Sequence, residues 1–337
     1  MQKTKELSDN KKFSEICSDW LSMERLIVKR STYAKYTFTI SNHILPVLGD
    51  MTLSDITSAQ VNTFIYDKLT NGRLDASGPL SAKTVRDMYT VLKSVLKYAE
   101  NEYQLGNLAR NTVLPKRQSP KYEILTREEQ ALLEQFLLKD STNHRKAGIL
   151  LCLYTGLRLG EICALQWQDI DMEQGLLTIK HTLQRISVSD SESARKTCII
   201  MDSPKSSTSL RTIPLTPWVI TLLETLKENA PSDSYVLTNR SQYVEPRNYQ
   251  YFFRRCLESV GLRPMNFHIL RHTFASRCVE SGFDVKTLSE ILGHSGTEIT
   301  LNYYVHSSMD NKRRQMELLS LQVPEASDAC EAPQAFS

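Results

Sequence analysis

Apolar positions recur every three to four residues through most of the front third of the chain. In "FSEICSDWLSMERLIV", Phe13, Ile16, Trp20, Leu21 and Met23 to Leu26 fall near a helical period. "STYAKYTFTISNHILPVLG" repeats the pattern with Tyr33, Tyr36, Ile40 and Ile44. Pro46 is expected to end that helix, because its ring supplies no backbone N–H. "TSAQVNTFIYDKL" opens with Thr57 and Gln60 at capping-box spacing. After the turn-rich "NGRLDASGPL", the stretch "SAKTVRDMYTVLKSVLKYAE" predicts a long amphipathic helix capped by Ser81. Residues 1–110 therefore read as a four-helix domain. In residues 111–123, "NTVLPKRQSPKYE", periodicity stops and prolines and basic residues accumulate, which predicts an exposed linker.

From residue 124 the pattern changes. Thr126 and Glu129 form a second capping-box signature. "HRKAGILLCLYTGLRLGEICALQW" is apolar on every side and must be buried, with Gly156 and Gly160 breaking or tightening it around Arg158. Between "GLLTIKHTLQRISV" and "SLRTIPL" the period drops toward two and β-branched residues gather, which predicts strands joined by loops. Lys205 falls in the polar turn "SPKSSTS". Helical patterning resumes at Pro217 and runs through "YQYFFRRCLESVG", "FHILRHTFASRCVESG" and "DVKTLSEILGH". The expected class is mainly α with a small antiparallel β-sheet, an α+β chain whose second domain spans 124–310. The end, 311–337, closes on a tail of low hydrophobicity.

Composition narrows the setting. With 41% hydrophobic and 23% charged residues, no apolar run approaches the roughly 18 residues that cross a bilayer. The start "MQKTKELSDN" lacks a signal-peptide core, so a cytoplasmic protein is expected, with no membrane partner. Seven scattered cysteines without a CxxC pair predict neither a disulfide framework nor a zinc knuckle. Lys and Arg total 41 against 38 Asp and Glu. Of these, residues 1–118 hold 17 basic and 12 acidic side chains, a surplus of five positive charges. That surplus fits a polyanion such as DNA as well as an ordinary solvated surface.

Four of the seven histidines, His268, His272, His294 and His306, lie within 39 residues of one another. A zincin helix would read HExxH, but Ile269 occupies the glutamate position and Arg271 would repel a cation, so no metal is expected. An anion is a better match. Arg158, Lys205 and Arg271 are cations, and two of them lie in apolar sequence. A buried charge must meet a carboxylate, Glu161 for Arg158 for example, or bind an anion from outside.

At this point a resemblance becomes specific. "TGLRLGEICALQW" around Arg158, Lys205 ahead of "RTIPL", "HILRH" at 268–272, "LGHS" around His294 and "TLNYYVH" ending at His306 follow the order and spacing of the tyrosine recombinase, or phage integrase, family. "STYAKYTFTISNHILPVLGDMTLSDIT" resembles that family's helical core-binding domain, and the region from about 124 its catalytic domain. Within the family the chain is most similar to integrases of bacterial conjugative and transposon-like elements. The resemblance implies a site-specific recombinase that forms a covalent 3'-phosphotyrosine, without metal or other cofactor.

The resemblance also implies roles. Arg158 and Arg271 would clamp the scissile phosphate, since planar guanidinium forks match phosphate oxygens in pairs. His268 would act as acid or base, His294 would donate to the phosphate, and Lys205 would protonate the departing 5' oxygen. The nucleophile is Tyr304 by the YxH ending, or Tyr303 by its distance from His294. His272 would be a buried structural partner and His306 a helix-end residue. Lys29, Arg30, Lys35, Lys116, Arg117 and Lys121 are candidates for DNA phosphate contact. Implied partners are duplex recombination sites, a homotetramer on DNA in which 311–337 docks on a neighbour, and accessory DNA-bending or excision factors. Relatives often carry a further arm-binding domain ahead of the core-binding domain, whereas twelve residues precede Phe13 here. Two alternatives stay open: a type IB topoisomerase, and a catalytically silent DNA-binding regulator.

Overall fold

The computed structural model describes residues 11–117, 123–140, 142–188, 197–202, 210–227, 230–294 and 296–304, with 313, 316 and 317; for 299 and 302–304 it describes the backbone. Lys121, Lys205, His306 and most of 311–337 lie outside the described residues. The chain divides into two compact units, Met1–Lys121 with Leu183–Met201, and Tyr122–Thr182 with Asp202–Ser337.

Over residues 11–117 the first unit is helical. Helices α1 (Phe13–Ile27), α2 (Arg30–Thr39), α3 (Leu45–Leu48), α4 (Ser58–Asn71) and α5 (Ala82–Tyr103) enclose one apolar core. Helix α5 shows why the pattern works. Val85, Met88, Tyr89, Leu92, Val95, Leu96 and Ala99 recur at three- and four-residue steps and are all buried. Its N-terminus is capped as expected, with the Thr84 N–H donating to Ser81 Oγ at 3.1 Å. Thr57 caps α4 the same way, accepting from the Gln60 N–H at 3.4 Å.

Pro46 corrects the sequence reading. It does not stop the helix but sits inside α3, while the break lies just upstream in a wide π-type turn over Ile40–Ile44. A proline leaves the carbonyl four residues back without its helical donor and crowds it. Widening the preceding turn shifts the register and lets the chain run on in the same direction. The expected linker is also less loose than its composition suggests. Residues 111–117 are strapped to the first unit: Arg86 Nη1 donates to the Pro115 carbonyl at 2.8 Å, and the Val113 N–H to Asn62 Oδ1 at 2.9 Å.

The second unit contains α6 (Arg127–Leu138), α7 (His144–Thr155), α8 (Leu159–Ala164), α9 (Pro217–Lys227), α10 (Pro246–Ser259), α11 (His268–Glu280), α12 (Val285–Leu292) and α13 (Thr297–Tyr304). The capping box at Thr126 forms in both directions, Glu129 N–H to Thr126 Oγ1 at 3.1 Å and Thr126 N–H to Glu129 Oε2 at 3.0 Å. Helix α7 is buried almost all round and packs against α6, α9 and α11, as its uninterrupted apolar sequence requires. Strands β1 (Ile170–Asp171), β2 (Leu176–Ile179) and β5 (Arg211–Pro214) make a three-stranded antiparallel sheet in the order β1-β2-β5, with Ile179 opposite Arg211 and Leu177 opposite Ile213. Strands β3 (Thr182–Ser187) and β4 (Thr197–Asp202), which apart from Thr182 and Asp202 belong to the first unit, form a separate two-stranded sheet. Mainly helical with small sheets, the chain matches the expected α+β class. Among the described residues, no helix is long and apolar enough to cross a membrane, no group of His, Cys, Asp and Glu can hold a metal ion, and the six cysteines are unpaired thiols.

Candidate active site

Three guanidinium groups meet the end of one short helix. The backbone of α12 runs out at Leu292, and Gly293 follows in the left-handed region at φ +63°. The last carbonyls of a helix lack intrahelical donors and carry the negative end of its dipole. Here three consecutive ones are taken by arginines from three different elements. Arg211 Nε donates to the Ile291 carbonyl at 2.6 Å, Arg271 Nη2 to Leu292 at 2.6 Å and Arg158 Nη2 to Gly293 at 2.9 Å.

Arg271 is gripped from a second side. Helix α7 also ends on a left-handed glycine, Gly156 at φ +68°, whose carbonyl accepts from Arg271 Nη1 at 2.8 Å. Only 3% of Arg271 is exposed, so its orientation is set by two helix ends rather than by solvent. Replacing Gly156 with alanine should therefore cost more than an ordinary glycine substitution. A methyl there would meet Phe274 Cδ1 at 2.6 Å and Leu292 Cδ2 at 2.8 Å in a backbone conformation that disfavours any Cβ. We expect a loss of about 2 kcal/mol or more in denaturant unfolding. Gly282→Ala, at φ +86° with nothing within 4 Å, should cost only about 1 kcal/mol. Equal losses at the two positions would contradict this account.

Glu161 joins two of the arginines. Its Oε1 accepts from Arg158 Nη1 at 2.7 Å and Arg211 Nη1 at 3.0 Å, and its Oε2 from Arg211 Nη2 at 2.8 Å and the Arg158 N–H at 2.9 Å. Burial pushes the Glu161 carboxyl up, but the hydrogen bonds and charge of Arg211, followed by the charge of Arg158, outweigh it and bring the pKa to about 2. The expected Arg158–Glu161 pair thus exists, and Arg158 is still held against Gly293 with 31% of its side chain exposed.

The histidines lie in the field of these cations. His294 Nδ1 is 2.9 Å from Thr300 Oγ1, and Thr300, fully buried on α13, ties the helix carrying Tyr303 and Tyr304 to the arginine cluster. Desolvation, then the charges of Arg271, Arg158 and Arg211, bring the His294 pKa to about 3. His268, at the N-terminus of α11, is open to solvent on one side. Crowding by the protein beneath it, then Arg271 and Arg158, still lowers its pKa. His272 falls to about 4 through burial, His268 and Arg271, and its ring lies 5.8 Å from that of His268. All three imidazoles are neutral at physiological pH, ready to donate from one nitrogen and accept at the other.

Of the residues singled out from sequence, Arg158, Arg271 and His294 meet at the C-terminal end of α12, and His268 stands one turn before Arg271 on α11. Position 304 is the last residue of α13, which packs on α11 and α12. Arg211 and Thr300 were missed. Arg211 had a readable signal: in β5 it alternates with exposed Thr212 and shares the buried face with Ile213. A charged residue on the inward face of a strand needs a buried counter-charge.

Comparison with known proteins identifies the family. The profile of the phage integrase family matches residues 123–311, and that of the phage integrase N-terminal SAM-like domain residues 12–69. A tyrosine recombinase XerC-like protein of Caldanaerobacter subterraneus subsp. tengcongensis is 31% identical over 331 residues, covering 91% of this chain and 82% of that protein. The fold is shared with the Tn1549 transposon integrase solved in complex with circular intermediate DNA, at TM-score 0.71 and 21% identity, covering 92% of this chain and 100% of that one. It is shared too with a lambda integrase tetramer bound to a Holliday junction, at TM-score 0.63 and 20% identity, covering 92% and 83%. The chain belongs to the phage integrase family, the tyrosine recombinases. Its activity is therefore the cutting and rejoining of DNA strands at specific sites.

Proposed function

We propose that the chain integrates and excises a bacterial mobile element by strand exchange between duplex recombination sites, with Arg158, Lys205, His268, Arg271, His294 and Tyr304 as its catalytic residues. The observation that carries this reading is the docking of three arginines on the carbonyls of 291–293. Held so, cations are oriented before substrate arrives and need no reorganisation as charge develops on the phosphate.

The chemistry follows. The Tyr304 oxygen bonds to phosphorus, its proton passes to His268, and the bond from phosphorus to the 5' oxygen breaks. Lys205 protonates that oxygen, leaving a free 5'-hydroxyl and a 3'-phosphotyrosine. A 5'-hydroxyl from the partner duplex then attacks the phosphotyrosine and regenerates the phenol, so the phosphodiester energy is conserved. Arg158 and Arg271 neutralise the nonbridging oxygens, and neutral His294 donates a hydrogen bond to one of them.

Two duplexes with two crossover strands each call for four protomers, and a homotetramer on DNA is part of the proposal. The lambda integrase assembly is a precedent for it. Residues 311–337 would dock on a neighbouring protomer, the domains divide at 111–123, accessory DNA-bending or excision factors set direction, and the enzyme works in the cytoplasm. The test is a nicked duplex of the element's end that releases a short 5'-hydroxyl fragment after cleavage. Wild-type protein should become covalently attached to the 3' end without added metal, visible as a shifted band after denaturation. DNA binding with no covalent species on cognate ends would overturn the proposal.

A further inference from the structure

Arg211 has no place in the chemistry just described, yet it is only 8% exposed and aims two nitrogens at Glu161 and one at Ile291. We infer that Arg211 is a positioning residue for the phosphate clamp: by sharing Glu161 it stops that carboxylate from cancelling the charge of Arg158. The inference rests on the proposed cleavage reaction and extends it.

The charge balance decides the matter. Among the described residues, the ion pairs and hydrogen bonds at the end of α12 bring together three guanidinium cations and one carboxylate, a surplus of two positive charges. Attack on a phosphodiester takes its nonbridging oxygens from one negative charge toward two, so the surplus matches the transition state rather than the ground state. Without Arg211 the same carboxylate would be left to Arg158 alone. The surplus would drop to one, and the Arg158 guanidinium would be drawn into a closed two-membered pair. Geometry points the same way. Glu161 presents Oε2 to the Arg158 backbone and to Arg211, and only Oε1 to the Arg158 side chain. Arg158 is thereby held through one nitrogen by the carboxylate and through another by the Gly293 carbonyl.

The test uses the full-length protein in single-turnover cleavage of the nicked duplex, with either a normal scissile phosphate or a neutral methylphosphonate in its place. On the normal phosphate, Arg211→Met should slow covalent complex formation on the order of 100-fold, the effect of losing one preorganised donor. On the methylphosphonate, which asks for less positive charge, the deficit should shrink by at least about tenfold. Adding Glu161→Gln to Arg211→Met restores the surplus of two and should recover most of the lost rate. Arg211→Lys, which keeps the charge with one donor group, should lose less than Arg211→Met; if the methionine variant does not fold, the equally uncharged Arg211→Gln serves for the two-substrate comparison. An equal deficit on both substrates would mark Arg211 as a merely structural residue and overturn the inference, as would cleavage at the wild-type rate. Failure of wild-type protein to form any adduct would instead strike the proposed reaction itself.

Discussion

Tyr304→Phe is expected to abolish covalent attachment to the nicked duplex while leaving duplex affinity within about threefold, whereas Tyr303→Phe should retain attachment. The reasoning is stoichiometric for the first variant. Phenylalanine has no oxygen to bond to phosphorus, and water delivered to the site would yield hydrolysis rather than an adduct. The choice between neighbours rests on sequence. The YxH ending selects position 304. Attachment would be read by denaturing gel and the modified residue by peptide mapping of the trapped DNA. A Tyr303→Phe protein without adduct, beside a Tyr304→Phe protein that still forms one, would transfer the nucleophile to Tyr303.

What could be read from sequence and what could not divides by the range of the interaction. The caps at Ser81 and Thr126 join residues three apart, and the pattern exposes them because cause and effect fit within one helical turn. The inward face of α5 follows likewise from local periodicity, and the all-round burial of α7 from its uninterrupted apolar sequence. The catalytic candidates were legible for another reason: five short motifs resemble a known family in order and spacing. Arg211 escaped because its partner Glu161 lies 50 positions away, and nothing local tells a strand arginine which carboxylate it will meet. The carbonyls of 291–293 escaped more completely. Main-chain oxygens leave no trace in side-chain types, and their availability arises only where α12 ends at Gly293. Pro46 shows a misreading of the opposite kind. Its local rule is sound, yet the chain evades it through a wider turn placed just ahead.

Glu161→Gln should cost about 3 to 5 kcal/mol of stability at neutral pH, the range for removing one partner of a buried ion pair. The glutamine keeps one acceptor oxygen but leaves Arg158 and Arg211 without the anion between them. The same group makes a pH prediction of definite sign. Its folded pKa, about 2, is below its ordinary value of 4.5, so the folded state holds the proton less readily than the unfolded chain does. Stability from this source is complete above about pH 4.5 and is lost as the pH falls through about 2. The separation corresponds to an effect on the order of 3 kcal/mol, comparable with the substitution itself. Wild-type and Glu161→Gln proteins should therefore differ most at neutral pH and converge as acid protonates the carboxylate. Denaturant midpoints measured at intervals from pH 7 to the lowest pH at which both proteins still fold would follow this convergence. A gap that stays constant down to pH 3 would mean that the stabilising element is the shape of the side chain and not its charge. The sharing of one carboxylate between Arg158 and Arg211 would then have no electrostatic consequence.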